Sequence, residues 1–320
     1  METRRLGNSD MNISRVGLGA WAIGGSWRWG WGEQDDKLSI SAIRRAVELG
    51  VNWIDTAAVY GLGHSETVIG AALKEMQNKP YIFTKCGLRW KETDNSAREA
   101  YSILKAKSVR EEAENSLKRL GVDCIDLYQI HWPNPKTEIE EAWAEMAKLK
   151  EEGKVRFIGV SNHTVAQMER LKAIAPITSL QPPYNLINRN VESALLPFCK
   201  EHDIGVIVYS PMSSGLLSGK MTPERIKSLP DDDWRKQDFN YTEPQLSRNL
   251  KLVETIKSIA DKKGVPAAQI AIAWTLKHPA VTAAIVGMRN QIQADETVGA
   301  ANLVLSDDEI AQLESIKLCD

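Results

Sequence analysis

Short apolar segments alternate with longer amphipathic segments along most of the chain. Eight of the short segments have the length and apolar content of buried strands, and residues with helical apolar spacing separate them. Strands that alternate with helices in this way predict parallel βα units. The candidate strands are residues 16–19, 52–55, 81–85, 125–131, 157–161, 179–181, 205–210 and 283–286.

The amphipathic segments predict helices. In residues 36–49, Ile40 and Ile43 lie on one face and Gly50 follows as a stop signal. The other helical candidates are residues 66–76, 109–120, 139–152, 165–173, 191–202, 252–263, 267–277, 291–301 and 307–316. Residues 3–6 and 12–16, with a turn between them, predict a β-hairpin before the first βα unit.

Two architectures suit this order: a closed (β/α)8 TIM barrel and an open doubly wound sheet. The count of eight strands favours the barrel, and so do polar residues at the carboxyl ends of several strands, where barrels carry their chemistry. These residues are Asp55, Lys85, His131, Ser161, Gln181, Tyr209 and Ser210. We expect residues 1–320 to form one (β/α)8 barrel domain with an N-terminal hairpin and extra C-terminal helices.

Composition narrows the classes of partner. The formal net charge of −2 provides no field for nucleic acid or an anionic membrane. No apolar run approaches the roughly 18 residues of a membrane span, and residues 1–5 lack the apolar core of a signal peptide. The four cysteines fit no metal or disulfide spacing. We expect a cytoplasmic monomer or small homo-oligomer without a metal.

Residues 17–22 satisfy a loose G-x-G-x-x-A pattern. In a dinucleotide-binding βαβ unit a helix starts there, and a strand ending in an acidic residue follows about 20 residues later. Here the chain continues into residues 24–32, which are rich in glycine and tryptophan and unsuited to a helix. A nicotinamide cofactor, if bound, must therefore bind in another way.

Asp55, Tyr60, Lys85 and His131 lie at or just after the ends of three successive predicted strands, which a barrel brings to one rim. Carbonyl reduction needs a hydride donor and an acid. A lysine ammonium would lower the pKa of a nearby tyrosine, and an aspartate would hold that lysine. Histidine would orient the substrate oxygen. Taken singly, Asp55 suits a loop cap and Tyr60 an aromatic residue packed on the rim. Lys85 alone suits a structural ion pair, and His131 alone suits a histidine of the core.

These residues occur among several ordered motifs. The motifs occupy residues 17–25, 55–61, 65–66, 116–120, 126–128, 131–133, 159–162, 181–186, 209–211 and 215–220. In this order they resemble the aldo-keto reductase superfamily, above all its bacterial family-eleven type. The resemblance implies a (β/α)8 barrel with Asp55, Tyr60, Lys85 and His131 as its catalytic tetrad. It implies NADPH-dependent reduction of small aldehydes or ketones, including sugar-derived aldehydes or 2-oxoaldehydes, with Tyr60 as general acid.

The resemblance also implies an extended cofactor site on the carboxyl face. Its residues are Ala20, Trp21, Asp55, Ser161, Asn162, Gln181, Tyr209, Ser210, Pro211, Ser214, Gly215, Lys220, Gly287, Arg289, Gln293 and Glu296. Arg289 would favour the 2′-phosphate of NADPH, with NADH binding more weakly. Thr297 departs from a frequent family asparagine. Taken alone, Ser161 and Asn162 suit a helix cap before Val165.

Tryptophans near the predicted mouth complete the hypothesis. Trp27, Trp29, Trp90 and Trp132 could wall a substrate pocket, with Arg28 attracting an acidic group. They could equally pin the glycine-rich loop to the barrel. Two other functions stay open: a Schiff-base lyase with Lys85 as nucleophile, and a cofactor-binding regulatory subunit with poor turnover.

Overall fold

Eight parallel strands form a closed barrel in the computed structural model, which describes residues 1–27, 29–91 and 100–316. Around the barrel the order is β3-β4-β5-β8-β9-β10-β11-β12, and β12 pairs back to β3. The predicted (β/α)8 TIM barrel is confirmed. The described strands are β1 (Thr3–Arg5), β2 (Asn12–Ser14), β3 (Val16–Gly19), β4 (Trp53–Asp55), β5 (Tyr81–Cys86), β6 (Leu88–Trp90), β7 (Ala100–Ser102), β8 (Ile125–Ile130), β9 (Val155–Ser161), β10 (Ser179–Gln181), β11 (Gly205–Val208) and β12 (Val281–Gly287).

Residues of alternating parity along each barrel strand face opposite sides. In β4, β5 and β8, the side chains of Trp53, Phe83 and Leu127 fill the barrel interior, whereas their neighbours pack against the helices. Gly17 in β3 makes room for the largest of them, because a Cβ there would lie 2.1 Å from the Trp53 ring. Parity therefore also decides which polar side chains reach the carboxyl mouth.

The predicted N-terminal hairpin is present as the antiparallel pair β1 and β2. Leu6, Met11 and Ile13 are fully buried in the same cluster as the interior barrel residues. The hairpin therefore seals the amino end of the barrel with apolar side chains and leaves the carboxyl end as the open one.

Helices pack around the barrel in the expected order. They are α1 (Asp36–Glu48), α2 (His64–Lys74), α3 (Ala106–Leu120), α4 (Ile139–Glu151), α5 (Val165–Lys172), α6 (Leu195–Glu201), α7 (Pro223–Lys227), α8 (Gln245–Lys263), α9 (Ala267–Lys277), α10 (Gln291–Thr297) and α11 (Asp307–Glu314). Helix α5 begins with a capping box in which Thr164 and Gln167 bond reciprocally. Ser161 and Asn162 are thus not its cap.

Three helix predictions need correction. The segment 191–202 is not one helix, because a short 3₁₀ turn at Asn190–Glu192 precedes α6. Helix α8 begins seven residues before the predicted start at 252, and the segment 291–301 continues beyond α10 as a 3₁₀ turn. Tertiary packing set these boundaries, which apolar periodicity alone locates poorly.

The connections after β5 and β11 are long and carry structure of their own. The segment after β5 contains the antiparallel pair β6 and β7, here named the mouth hairpin. The segment after β11 contains α7 and several 3₁₀ turns, among them Ser213–Ser218 and Trp234–Gln237. Both segments lie at the carboxyl end, where they can border a site.

No helix in the described part of the chain is long and apolar enough to span a membrane. Cys86, Cys124 and Cys199 are free thiols, and Cys319 lies outside the described residues. Within the described residues, no group of three or more potential metal-ligating side chains is placed to hold a metal ion.

A buried carboxylate anchors the start of the mouth hairpin. Glu112 of α3 accepts hydrogen bonds of 3.0 Å from the Gly87 backbone N–H and of 3.0 Å from the Ser108 hydroxyl. Burial raises the pKa of Glu112 to about 7, although these hydrogen bonds and nearby arginines oppose it. The folded state therefore binds a proton more tightly than the unfolded chain, so this group's contribution to stability falls as pH rises through about 7.

Replacing Glu112 with glutamine is expected to stabilise the protein at pH 8 by about 2–3 kcal/mol, because glutamine can still accept from Gly87 without a buried charge. At pH 5 the Glu112 carboxyl of the parent is mostly protonated. The parent and Glu112→Gln should then have similar free energies of unfolding. Urea unfolding at both pH values measures the effect. Glu111→Gln, on the same helix but more exposed, is the control. A Glu112→Gln protein no more stable than the parent at pH 8 would contradict this account.

Candidate active site

Asp55, Tyr60, Lys85 and His131 come together at the carboxyl mouth of the barrel. Lys85 Nζ donates to Asp55 Oδ2 at 2.6 Å, to the Thr56 carbonyl at 2.8 Å and to the Tyr60 hydroxyl at 3.3 Å. The His131 ring lies edge-on to the Tyr60 ring, with centroids 5.7 Å apart. The four side chains predicted from strand ends thus surround one point.

The ion pair between Asp55 and Lys85 is almost completely buried. Exposed fractions of the two side chains are 4% and 0%. Burial lowers the pKa of the Lys85 ammonium, but the Asp55 carboxylate and the Tyr60 hydroxyl outweigh burial and raise it above its usual value. Lys85 is therefore a charged ammonium, which argues against the nucleophilic amine that a Schiff-base lyase would need.

The pKa of Tyr60 is raised, whereas the sequence predicted that Lys85 would lower it. Burial raises the pKa of this phenol, and the Lys85 ammonium lowers it by less. Our prediction of a lowered pKa considered the lysine but not the desolvation of the phenolate. The hydroxyl accordingly holds its proton firmly at neutral pH, as a proton donor requires.

His131 is a neutral imidazole. Burial lowers its pKa well below 6.5, and the nearby Lys85 ammonium acts in the same direction. Its backbone carbonyl accepts from the Asn162 side-chain amide at 3.1 Å, which ties the end of β8 to the end of β9. A neutral ring beside Tyr60 can donate a hydrogen bond to a substrate oxygen without adding a second positive charge.

Side-chain amides form a connected layer beside this cluster. Gln181 Nε2 donates to Asp55 Oδ1 at 2.8 Å, and the Tyr209 hydroxyl donates to Asn162 Oδ1 at 2.9 Å. The Ser161 hydroxyl donates to the Gln181 carbonyl at 2.8 Å. Asn162 has a left-handed φ of 60°, which a side chain rarely adopts and which holds its amide in this layer.

Sequence reasoning missed Gln129, a fully buried member of the same layer. Its amide lies 3.4 Å from Asp55 Oδ1 and accepts from Gln181 Nε2 at 3.3 Å. The period-two rule could have found it, since 129 has the parity of His131 and so faces the interior. Asp55 consequently accepts from two amides as well as from the lysine.

A cavity of about 1170 Å³ extends from this cluster across the carboxyl face. Its lining contains every predicted cofactor residue except Ala20. Ala20 is buried behind the wall, where its N–H donates to the Asp55 carbonyl at 2.8 Å. The cofactor role expected for Ala20 is therefore not supported by its position, because the strand end turns its backbone inward.

The loop after β11 borders the middle of the cavity with an unusual backbone. Ser210 and Ser214 have φ values of 54° and 53°, and Gly215 follows at 98°. The Tyr241 hydroxyl donates to the Ser213 and Ser214 carbonyls at 3.0 Å and 2.9 Å, which holds the turn. A Cβ at Gly215 would meet nothing within 4 Å, so the cavity is open there.

Cationic side chains lie at the end of the cavity far from Tyr60. Lys220 pairs with Glu296 at 2.6 Å, and Arg289 donates to Gln34 Oε1 at 2.6 Å and to the Glu33 carbonyl at 2.9 Å. Burial lowers the pKa of Arg289, and the guanidinium of Arg235 lowers it further. Arg235 and Arg289 both line the cavity.

Arg235 is a second residue that the sequence interpretation missed. It is buried, pairs with Asp233 at 2.6 Å and lies 4.7 Å above the centre of the Trp31 ring. Trp31 in turn packs edge-on against Trp21, with centroids 5.0 Å apart. The loop after β3 and the loop after β11 thus meet across the cavity, a contact between segments that are about 200 residues apart and carry no shared motif.

Three of the four tryptophans predicted for the substrate pocket line the cavity, and one does not. Trp27, Trp29 and Trp132 line the cavity near Tyr60, together with Val59. Trp90 lies outside that cavity, with the Arg119 guanidinium 5.9 Å from its ring centre, because the mouth hairpin turns it toward α3. Arg28, proposed to attract an acidic group, lies outside the described residues.

The cavity suits an anionic dinucleotide. The amide layer offers donors and acceptors for a carboxamide, the Tyr209 ring offers an aromatic face, and the guanidinium groups at the far end offer partners for phosphate. Gly287 lines the cavity, and a Cβ there would point into open space. The residues present therefore fit a nicotinamide dinucleotide laid across the barrel mouth.

Fold and site together define a barrel oxidoreductase that acts on a carbonyl group or the corresponding alcohol. The chain belongs to the aldo/keto reductase family, whose family model matches residues 15–318. Members of the family use NAD(P)H, and the predicted resemblance to this family is confirmed.

Relatives match the chain over nearly its whole length. It is 37% identical over 319 residues to the aldo-keto reductase YhdN of Bacillus subtilis, covering 99% of this chain and 93% of that protein. It is 34% identical over 311 residues to the NADH-specific methylglyoxal reductase of Escherichia coli, covering 94% of each. The solved glycerol dehydrogenase AKR11B4 from Gluconobacter oxydans superposes with a TM-score of 0.91 at 38% identity, covering 98% of this chain and 94% of that one.

Proposed function

We propose that this enzyme reduces small aldehydes or ketones to alcohols with NADPH, and that Tyr60 is the general acid. The observation that carries the proposal is the hydrogen-bonded chain from Asp55 through the Lys85 ammonium to the Tyr60 hydroxyl, with a neutral His131 beside it. Residues 1–320 act as one barrel domain, as a monomer or small homo-oligomer.

Bound NADPH supplies the hydride. The Tyr60 hydroxyl donates a proton to the substrate oxygen as negative charge develops there. The Lys85 ammonium, at 3.3 Å, stabilises the phenolate that remains. The neutral His131 ring donates a second hydrogen bond to that oxygen and so orients the carbonyl. Asp55 keeps Lys85 charged and in place.

Ser161, Asn162 and Gln181 would hold the nicotinamide carboxamide, and Tyr209 would support the ring. The loop from Ser210 to Lys220 would border the pyrophosphate. Arg289, Gln293 and Glu296 would hold the adenosine end, where Arg289, with Arg235 lining the same cavity, would favour a 2′-phosphate. We propose that this enzyme prefers NADPH to NADH, although one relative is named as NADH-specific.

Small oxygenated carbonyl compounds are the first substrates to consider. One relative is named for methylglyoxal, a 2-oxoaldehyde, and a solved neighbour is named for glycerol. The test is a panel of methylglyoxal, glyceraldehyde and simple aldehydes with NADPH and NADH, followed by the absorbance of the reduced nicotinamide. Steady oxidation of NADPH by several aldehydes is expected. Tight cofactor binding without turnover would instead favour a regulatory subunit.

Arg289→Met is expected to weaken NADPH binding by about 10–100-fold and NADH binding by less than about threefold, because hydrogen bonds to a charged group contribute roughly 1.5–3 kcal/mol. Fluorescence titration with each cofactor measures both affinities. Gln34→Ala is the control, since it removes the loop contact of Arg289 but keeps the guanidinium. Equal losses for the two cofactors in Arg289→Met would exclude the 2′-phosphate role.

A further inference from the structure

Gln129 is a buried amide within a barrel strand, two residues after the interior side chain of Leu127. It is fully buried and does not line the cavity. Burying an amide is costly unless its polar groups form hydrogen bonds, and a methionine of similar length would fill the same space without that cost. The hydrogen bonds of Gln129 therefore indicate what this side chain does.

Both partners of the Gln129 amide belong to the active site. Its Nε2 atom donates to Asp55 Oδ1 at 3.4 Å, and its Oε1 atom accepts from Gln181 Nε2 at 3.3 Å. Gln181 Nε2 also donates to the same Asp55 oxygen at 2.8 Å. Because a carboxylate only accepts, both amides turn their nitrogen atoms toward Asp55, and the Gln129 oxygen then receives the second N–H of Gln181. The three side chains form a closed ring of hydrogen bonds.

This ring fixes the orientation of the Gln181 amide. One hydrogen bond to Asp55 would leave the amide free to turn about that bond, whereas two acceptors for its two N–H groups hold its plane. Among the described residues nothing donates to Gln181 Oε1, and Gln181 lines the cavity. That oxygen is therefore the atom of the amide left for a bound molecule, and it selects an N–H or O–H donor.

We infer that Gln129 is a positioning residue, which holds the Gln181 amide so that Gln181 Oε1 accepts an N–H of the nicotinamide carboxamide. Gln129 does not touch the cofactor and acts on its affinity through Gln181. An amide already held in its binding orientation loses less freedom when the cofactor binds. The inference rests on the proposed function, in that it requires a nicotinamide cofactor in the cavity.

Two cofactors that differ only in the amide test this inference. They are NADP+ and its 3-acetylpyridine analogue, in which a methyl group replaces the carboxamide NH2. Fluorescence titration gives both dissociation constants, and the quantity compared is the Kd of the analogue divided by the Kd of NADP+. We expect a ratio of about ten for the parent, as for one hydrogen bond, and a ratio near one for Gln129→Met. If Gln129 only filled space, both Kd values would change alike.

Two further variants show whether Gln129 acts through Gln181. In a Gln181→Met background, adding Gln129→Met should change the ratio less than about twofold, because the amide to be oriented is already absent. Gln245→Met is the matched control and should keep the parent ratio, since it makes the same change at a buried glutamine that does not line the cavity.

Gln129→Glu is the conservative variant. Its carboxyl keeps a proton beside Asp55, because two carboxylates this close do not both ionise, so it still donates to Asp55 and accepts from Gln181. Its ratio should stay within about threefold of the parent ratio, which keeps the test usable even if Gln129→Met does not fold. Urea unfolding without cofactor shows which variants are folded.

Four results would overturn the inference. They are equal affinity of the parent for the two cofactors, a parental ratio in Gln129→Met, a fall in Gln129→Glu or Gln245→Met as large as that in Gln129→Met, and a further fall in the double variant. A parent enzyme that binds neither cofactor would instead overturn the proposed function.

Discussion

Tyr60→Phe is expected to lower kcat for aldehyde reduction by about 10²- to 10⁴-fold, the usual contribution of a positioned general acid. The substitution removes the hydroxyl that Lys85 contacts at 3.3 Å and keeps the ring that packs beside Trp27 and His131. The shape of the site therefore changes little. NADPH affinity should stay within about twofold, because the hydroxyl contributes to the transition state and not to cofactor binding. Steady-state kinetics and cofactor titration measure the two effects separately.

The loss in Tyr60→Phe should be similar at pH 6 and pH 8. Burial raises the pKa of Tyr60, the Asp55 carboxylate helps to raise that of Lys85, and burial lowers that of His131, so none of the three changes charge over this range. Tyr81→Phe is the control, because it removes a hydroxyl at the other end of the strand that carries Lys85. A Tyr60→Phe enzyme with the parent rate would end the assignment of the proton donor.

Lys85→Met is expected to destabilise the folded protein by about 3–5 kcal/mol as well as to abolish most activity. The Asp55 carboxylate would remain buried with its ammonium partner gone, and an uncompensated buried charge is costly. Gln181 and Gln129 still face that carboxylate, but neutral amides replace only part of the lost interaction. Urea unfolding at neutral pH measures the change.

The double variant Asp55→Asn with Lys85→Met separates stability from catalysis. Replacing both ends removes the buried charge, so most of the lost stability should return, whereas activity should stay low. Lys154→Met, which breaks a more exposed ion pair with Glu114, should cost about 1 kcal/mol or less. A Lys85→Met protein as stable as the Lys154→Met protein would show that the buried pair does not stabilise this fold.

The tetrad could be predicted because strand ends are readable from local pattern. Asp55, Lys85 and His131 each follow an apolar run, and parallel strands in a barrel must present such ends on one face. Gln129 obeys the same parity but sits inside a strand, where a polar residue carries no motif. Arg235 was missed because its neighbours Trp31 and Arg289 come from other loops, and no spacing along the chain records that contact.

The start of α8 and the position of Trp90 were also predicted wrongly, because both depend on tertiary packing. The start of α8 depends on packing of its first turns, which periodicity does not report. Trp90 was grouped with Trp27, Trp29 and Trp132 because all are aromatic residues in mouth loops. The direction of the mouth hairpin, which sends Trp90 toward Arg119, depends on how β6 pairs with β7 and packs on α3.

By itself, the sequence determined the order of strands and helices, the closed barrel and the identity of the residues that meet at its mouth. These follow from backbone periodicity and strand parity, which act over a few residues at a time. The tertiary structure alone decided that Tyr60 has a raised rather than a lowered pKa, that Arg235 contacts Trp31, and that Trp90 lies outside the cavity. Those properties depend on desolvation and on neighbours from distant segments, and both exist only once the chain has packed.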